Sequence, residues 1–462
     1  MFQVSEDSMS NQSLAFVVPH RAFSLCGALG LLLIVGQTLV SAQASTPWTS
    51  LNRGSDNIEV LGHLPLGHDE NLSDMDVEQE LSRPYAYIAR ASYGEGPVGM
   101  VIVDISDPEN PQEITEWLIE NSDLHVGGAR DVKYFKWRDR YFVVQSLQFR
   151  QGGPNADLGA VVLDVTDLPD PASVHEVARI REPDFPGGFH NIFIYKHSSE
   201  RVYLFTTVTD GFAHVYDLGI LVDDGPEGAL VSRVPVPEGA PGRSGYHDLY
   251  VGYHPDSDQD RFYGGGTGGY YVYDVSDIQN PQLLVTLNGI SGITRGHTFT
   301  PSPDGRYVIA ESEYQYAPLR IFDLQPALEG RVTNIRNPIG AWTAHWEHLV
   351  HNHEVRWPFV FVSGYLDGLQ VFEMSDPSNP QTVAYYDTYL GSLNSDNPGV
   401  MRGAFGVDVR NEDGLILVSD MTTGLWTFRM DGFQGWNGED WGMPDISSAQ
   451  KWDVPLRRPI SE

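Results

Sequence analysis

The stretch Val101-Ile102-Val103-Asp104-Ile105-Ser106-Asp107-Pro108-Glu109-Asn110-Pro111 decides the fold. A short apolar, β-branched run stops abruptly in Ser-Asp-Pro-x-Asn-Pro. That is a strand closed by Asx and proline turns. The phrase returns as Val161-Val162-Leu163-Asp164-Val165-Thr166-Asp167, as Tyr271-Val272-Tyr273-Asp274-Val275-Ser276-Asp277, and as Val371-Phe372-Glu373-Met374-Ser375-Asp376-Pro377. Weaker copies centre on Asp217, Asp323 and Arg429.

A second phrase keeps step with the first. An acidic or polar residue ahead of a β-branched or aromatic pair falls at Asp76, Asp131, Asn191, Asp248, Thr298, Glu354 and Asp408, roughly 55 residues apart. Between the phrases lies another strand, such as Tyr141-Phe142-Val143-Val144, and after the proline turn comes a fourth, such as Thr382-Val383-Ala384-Tyr385-Tyr386. Four short strands per repeat at this period read as a β-propeller blade. Seven repeats predict an all-β, single seven-bladed propeller over residues 58–431. The seventh repeat has three clear strands. Ile58-Glu59-Val60-Leu61-Gly62-His63-Leu64 is expected to supply its fourth and close the ring, which removes exposed sheet edges.

The strand-plus-Ser-Asp-Pro-x-Asn-Pro phrases resemble the LVIVD-repeat proteins of bacteria. Asp367-Gly368-Leu369-Gln370-Val371-Phe372, Gly403-Ala404-Phe405-Gly406-Val407 and Gly424-Leu425-Trp426 are more narrowly similar to the choice-of-anchor B group. The resemblance implies a secreted propeller. Some members of that group carry C-terminal anchoring domains. Here Trp452 is followed by a short polar stretch ending Arg457-Arg458-Pro459-Ile460-Ser461-Glu462, so a free secreted or periplasmic protein is expected.

The two ends of the sequence fit export. Arg21, the apolar run Leu25–Val35 and Ala42-Gln43-Ala44 form the charged, apolar and small-residue regions of a secretory signal. The apolar run is short for a spanning helix. The organisation expected is a signal peptide at 1–44, a linker at 45–57, the propeller, and a C-terminal tail at 432–462, with no stable membrane span after cleavage. The one cysteine, Cys26, lies within the signal, which excludes disulfides and thiolate chemistry from the mature chain. The formal charge of −33, from 62 acidic and 29 basic residues, disfavours binding to nucleic acid or anionic lipid. Only four of the basic residues are lysines: Lys133, Lys136, Lys196 and Lys451.

The residue before the second marker carries the functional signal. It is histidine in four consecutive repeats: His190, His247, His297 and His353. In a propeller the first strand of each blade lines the central channel, so equivalent positions form a ring. Four converging imidazoles could hold Zn, Fe, Cu, Ni or Mn. His345, His348 and His351 lie just upstream as outer ligands. The same residues can also serve only to bond neighbouring strands. Loop carboxylates Asp210, Glu311, Glu313, Asp367 and Asp420, with Arg130, Arg243, Arg295 and Arg402, are expected to rim the same end. Tyr270-Tyr271 and Tyr314-Gln315-Tyr316 add aromatic surface that could stack on sugars. The run Gly264–Gly269 opens no helix and is not a phosphate loop.

Two function classes follow. One is a monomeric binding module for a glycan, a small anionic ligand or a protein. The other is an enzyme, a metal-dependent oxidase or hydrolase or a His/Tyr polysaccharide lyase. The fold does not choose between them.

Overall fold

The computed structural model describes residues 53–66, 71–91, 96–122, 127–149, 155–208, 210–238, 240, 245–389, 400–444 and 450–454. The expected signal peptide and Arg243 lie outside these residues. Within them the chain forms seven four-stranded antiparallel sheets, the blades of a β-propeller. The inner strands are Leu72–Val77, Val132–Trp137, Ile192–Lys196, Tyr246–His254, Phe299–Pro301, Asn352–Arg356 and Ala404–Val409. Each packs against the next, and the last returns to the first. Ile58–Leu64 pairs with Gly424–Met430 as the outer strand of blade seven, in the register Ile58 to Met430 through Leu64 to Leu425. The chain's beginning and end are thereby locked together.

The residue pattern explains the strands. Middle strands are covered by neighbouring blades on both faces, so Tyr85–Arg90 is buried throughout and Gly99–Asp104 almost so. Both are nearly continuous apolar runs. The outer strand Gln112–Leu118 faces solvent and carries Glu113, Thr115 and Glu116. The recurring aspartates then end the third strands. Asp104 accepts the Ser106 N–H at 2.8 Å, Asp164 that of Thr166 at 2.8 Å and Asp274 that of Ser276 at 2.9 Å. Asn110 donates to Asp107 and Asn280 to Asp277, each at 2.9 Å, closing the turn that follows.

The second marker binds blade to blade. Carboxylates of Asp76, Asp131 and Asp408 accept the N–H of Tyr134 at 2.7 Å, Ile192 at 2.9 Å and Val77 at 2.8 Å, each in the next blade. These bonds satisfy inner-strand donors that face the channel rather than a sheet partner.

Below the level where the inner strands begin, the channel encloses a cavity of about 80 Å³. Asp74, Asp76, Asp131, Asp248 and Asp408 line it, with Lys133 among them. Burial pushes Asp74 up to about 8 and Asp408 up to about 7, and Lys133 only partly offsets this for Asp74. At the far, lower end the C-terminal tail closes the cavity with Gln450 and Trp452. Lys196 Nζ donates to the carbonyls of Trp452 at 2.8 Å and Val454 at 3.0 Å. Lys136 pairs with Asp453. Three of the four lysines therefore serve the lower channel.

Candidate metal centre

The upper mouth of the channel is set by hydrogen-bond phase. The N–H groups of His190, His297 and His351 donate to Thr207 at 3.2 Å, Glu311 at 3.0 Å and Ser363 at 2.9 Å, carbonyls of the neighbouring second strand. The next residues, Asn191 and Asn352, donate to the hydroxyls of Thr207 and Ser363 at 2.9 and 3.2 Å. By this phase His351, not His353, is the blade-six counterpart of His190 and His297.

The rings follow the phase. Centroids of His190 and His247 lie 4.4 Å apart, those of His247 and His297 4.3 Å, and those of His297 and His351 5.2 Å. Three of the four histidines expected from the sequence thus stand in one row, and His351 continues it. His353 is buried two residues further along. Its Nδ1 lies 3.6 Å from Glu311 Oε2, too long for a hydrogen bond. Glu311 also sits 3.5 Å from His297 Nδ1, so it stands between the two imidazoles.

Outer contacts hold the two end rings of the row. His190 Nδ1 meets Gln148 Oε1 at 2.9 Å. His351 Nδ1 donates to the Phe405 carbonyl at 2.9 Å, which leaves Nε2 with its lone pair. Burial, then the neighbouring imidazoles, hold His247 well below the usual histidine range. Burial and His297 do the same for His351. Both are therefore neutral, the form that binds metals.

His297 differs. Burial alone would lower it, but Glu311 and Glu313 outweigh that and push it up to about 9. Its Nε2 lies 3.6 Å from Glu313 Oε2 and has no hydrogen-bond partner, and neither has His247 Nδ1. A positive charge is favoured here, and a metal ion supplies one as well as a proton does. One nitrogen each of His247 and His297 and one oxygen of Glu313 lie within 4.8 Å of one another. This His/His/Glu group could hold a metal ion. Tyr365 Oη donates to Glu313 Oε1 at 2.6 Å and orients the carboxylate.

The other rim residues divide. Arg295 and Arg130 bear electrostatically on His247 and His351. Asp367 holds His348 Nδ1 at 2.6 Å. Asp210 is bound to His214 at 2.9 Å, and Glu182 takes the other nitrogen at 2.6 Å, a structural clamp in blade three. Asp420 caps its own turn by accepting the Thr422 and Thr423 N–H groups at 2.9 and 3.0 Å. Tyr270 and Tyr271 are fully buried packing residues. The glycine run permits close approach: a Cβ on Gly265 would lie 1.7 Å from the His297 carbonyl oxygen. The sequence pattern does not single out Glu313, which completes the candidate His/His/Glu group, or the place of His351 in the row. The alternation His351-x-His353 was the available signal for the latter.

No curated protein sequence matches the chain. Residues 80–118 match the LVIVD repeat, a segment that spans the second to fourth strands of blade one.

Proposed function

We propose that this LVIVD-repeat propeller is a metal-dependent binding module. His247, His297 and Glu313 hold a divalent transition metal at the upper channel mouth, with His190 and His351 flanking. The observation that carries the reading is the set of buried, unpaired imidazole nitrogens beside an oriented carboxylate. Buried polar atoms without partners are rare in native proteins. Three protein ligands leave positions open for an oxygen of a bound ligand, and Arg295 beside them favours an anionic group on it. His353 and Glu311 support His297 from behind. The apolar run 25–35 supports export, so we place the protein outside the cytoplasm.

A direct test is elemental analysis after zinc loading and gel filtration. Wild-type protein should retain about one equivalent. His247→Ala combined with His297→Ala should lose it while keeping the β-sheet circular dichroism signal. Equal retention by both proteins, or none by the wild type, would refute the site. Two imidazoles and one carboxylate are also the donor set of non-haem iron enzymes. That favours a second reading, a metal-assisted oxidase or hydrolase, which turnover of a bound ligand would distinguish from passive binding.

A further inference from the structure

Beside the metal centre, two large aromatic rings stand in water. Trp346 is 55% exposed and Tyr316 is 64% exposed. They belong to neighbouring loops that are tied together. The Tyr316 N–H donates to the Trp346 carbonyl at 2.9 Å, and Gln315 Nε2 donates to the Glu347 carbonyl at 2.7 Å. Tyr316 is held in the left-handed region at φ 63°, an unfavourable conformation for a bulky residue. Such strain persists where the surroundings demand it, and it gathers at ligand sites.

One hairpin turn joins this rim to the metal centre. In Gly364–Gly368, Tyr365 reaches Glu313 at 2.6 Å and Asp367 reaches His348 at 2.6 Å. Tyr365 too is left-handed, at φ 47°. Glu313 and Tyr316 lie on one segment, and Trp346 and His348 lie on the other. The turn therefore sets the metal ligand and the aromatic rim in one rigid frame. His348 is partly exposed and held through Nδ1, which leaves Nε2 for a hydroxyl.

From this frame we infer that the Tyr316–Trp346 rim is a saccharide-binding subsite, with the sugar stacked on the rings, hydrogen-bonded to His348 and directed toward the metal. The inference rests on the metal-dependent reading above. A protein partner would call for a contiguous apolar patch. Here the rings are separated by polar neighbours: His345 and Glu347 flank Trp346, and Gln315 precedes Tyr316. Isolated aromatic faces among hydrogen-bonding groups match the alternating C–H faces and hydroxyl edges of a pyranose.

The test uses the full chain, zinc-loaded and metal-free, against oligosaccharides of neutral hexoses, N-acetylhexosamines and uronates. At least one class should bind. Trp346→Ala and Tyr316→Gly should each weaken that binding about tenfold, while zinc uptake stays at the wild-type level. Glycine suits the left-handed backbone, so Tyr316→Gly removes the ring without strain. If sugar binds, is lost in the variants, and zinc is never taken up, the subsite stands and the metal reading falls. If no class binds wild-type protein, or both variants bind as tightly as wild type, the subsite is overturned.

Discussion

Asp74 shows what a single side chain costs in this channel. It lies against Met75 N–H and Asn352 Nδ2 at 2.9 and 2.6 Å, yet burial still raises it from 3.8 to about 8. The folded protein therefore holds a proton there that the unfolded chain releases above pH 3.8. Linkage gives the sign: this contribution is full below pH 3.8 and is lost as pH rises toward 8. Asp408, raised to about 7, acts in the same direction. Asp74→Asn should flatten the decline of urea-unfolding stability between pH 5 and pH 8, by up to about 1.4 kcal/mol per pH unit. An unchanged slope would show that Asp74 is ionised in the native protein. At this scale the sequence was half legible. The markers Asp76, Asp131 and Asp408 were visible, and their bonds to the next blade give them a physical purpose. Glu354 fits the acidic marker better than Asn352, so the sequence pattern points to His353 rather than His351. A two-residue slip leaves the β alternation unchanged, so periodicity alone could not detect it. Local sequence does not set Glu313 apart from other loop carboxylates; its contacts with Tyr365 and His297 do.

Among the elements, the second strand of blade four and the C-terminal tail have the most to say. Gly265 lets that strand pass directly over the His297 backbone. Gly265→Ala should lower stability by about 1–3 kcal/mol and reduce zinc retention together, since the added Cβ meets main chain that carries a proposed ligand. Thermal unfolding and metal content, measured on one preparation, check both. A destabilised variant with full retention would separate the strand's packing from the metal centre. The tail depends on Lys196, whose ammonium satisfies two carbonyls. Lys196→Met should expose residues 450–454 to limited proteolysis and leave the blades resistant. Cleavage no faster than in wild type would mean that Trp452 packing alone keeps the tail in place. Nothing in the local sequence announced this contact. Gln450 and Lys196 are 254 residues apart, and no repeat relates them. The blade strands, by contrast, were readable because several third strands are closed by an Asx turn at Asp104, Asp164, Asp274 or Asp323, a contact within four residues.

Across the whole molecule, the ring divides its channel into two chemically different ends. The upper mouth gathers imidazoles around His297 and Glu313. The interior gathers carboxylates around Lys133, and the tail closes the lower end. Architecture was legible because a propeller repeats one pattern seven times, and the strand Ile58–Leu64 had to fill the one gap. The candidate metal site was less so, because His247 on an inner strand and His297 and Glu313 on loops come from different blades, and their meeting depends on the closed ring. The central claim is that His247, His297 and Glu313 share one metal ion. The most direct measurement is anomalous diffraction from crystals of the zinc-loaded protein, recorded above and below the zinc edge. One strong peak is expected at the upper channel mouth, about 2.0–2.2 Å from an imidazole nitrogen of each histidine and from a Glu313 oxygen. A map with no peak there, or with the zinc held elsewhere on the propeller, would contradict the claim.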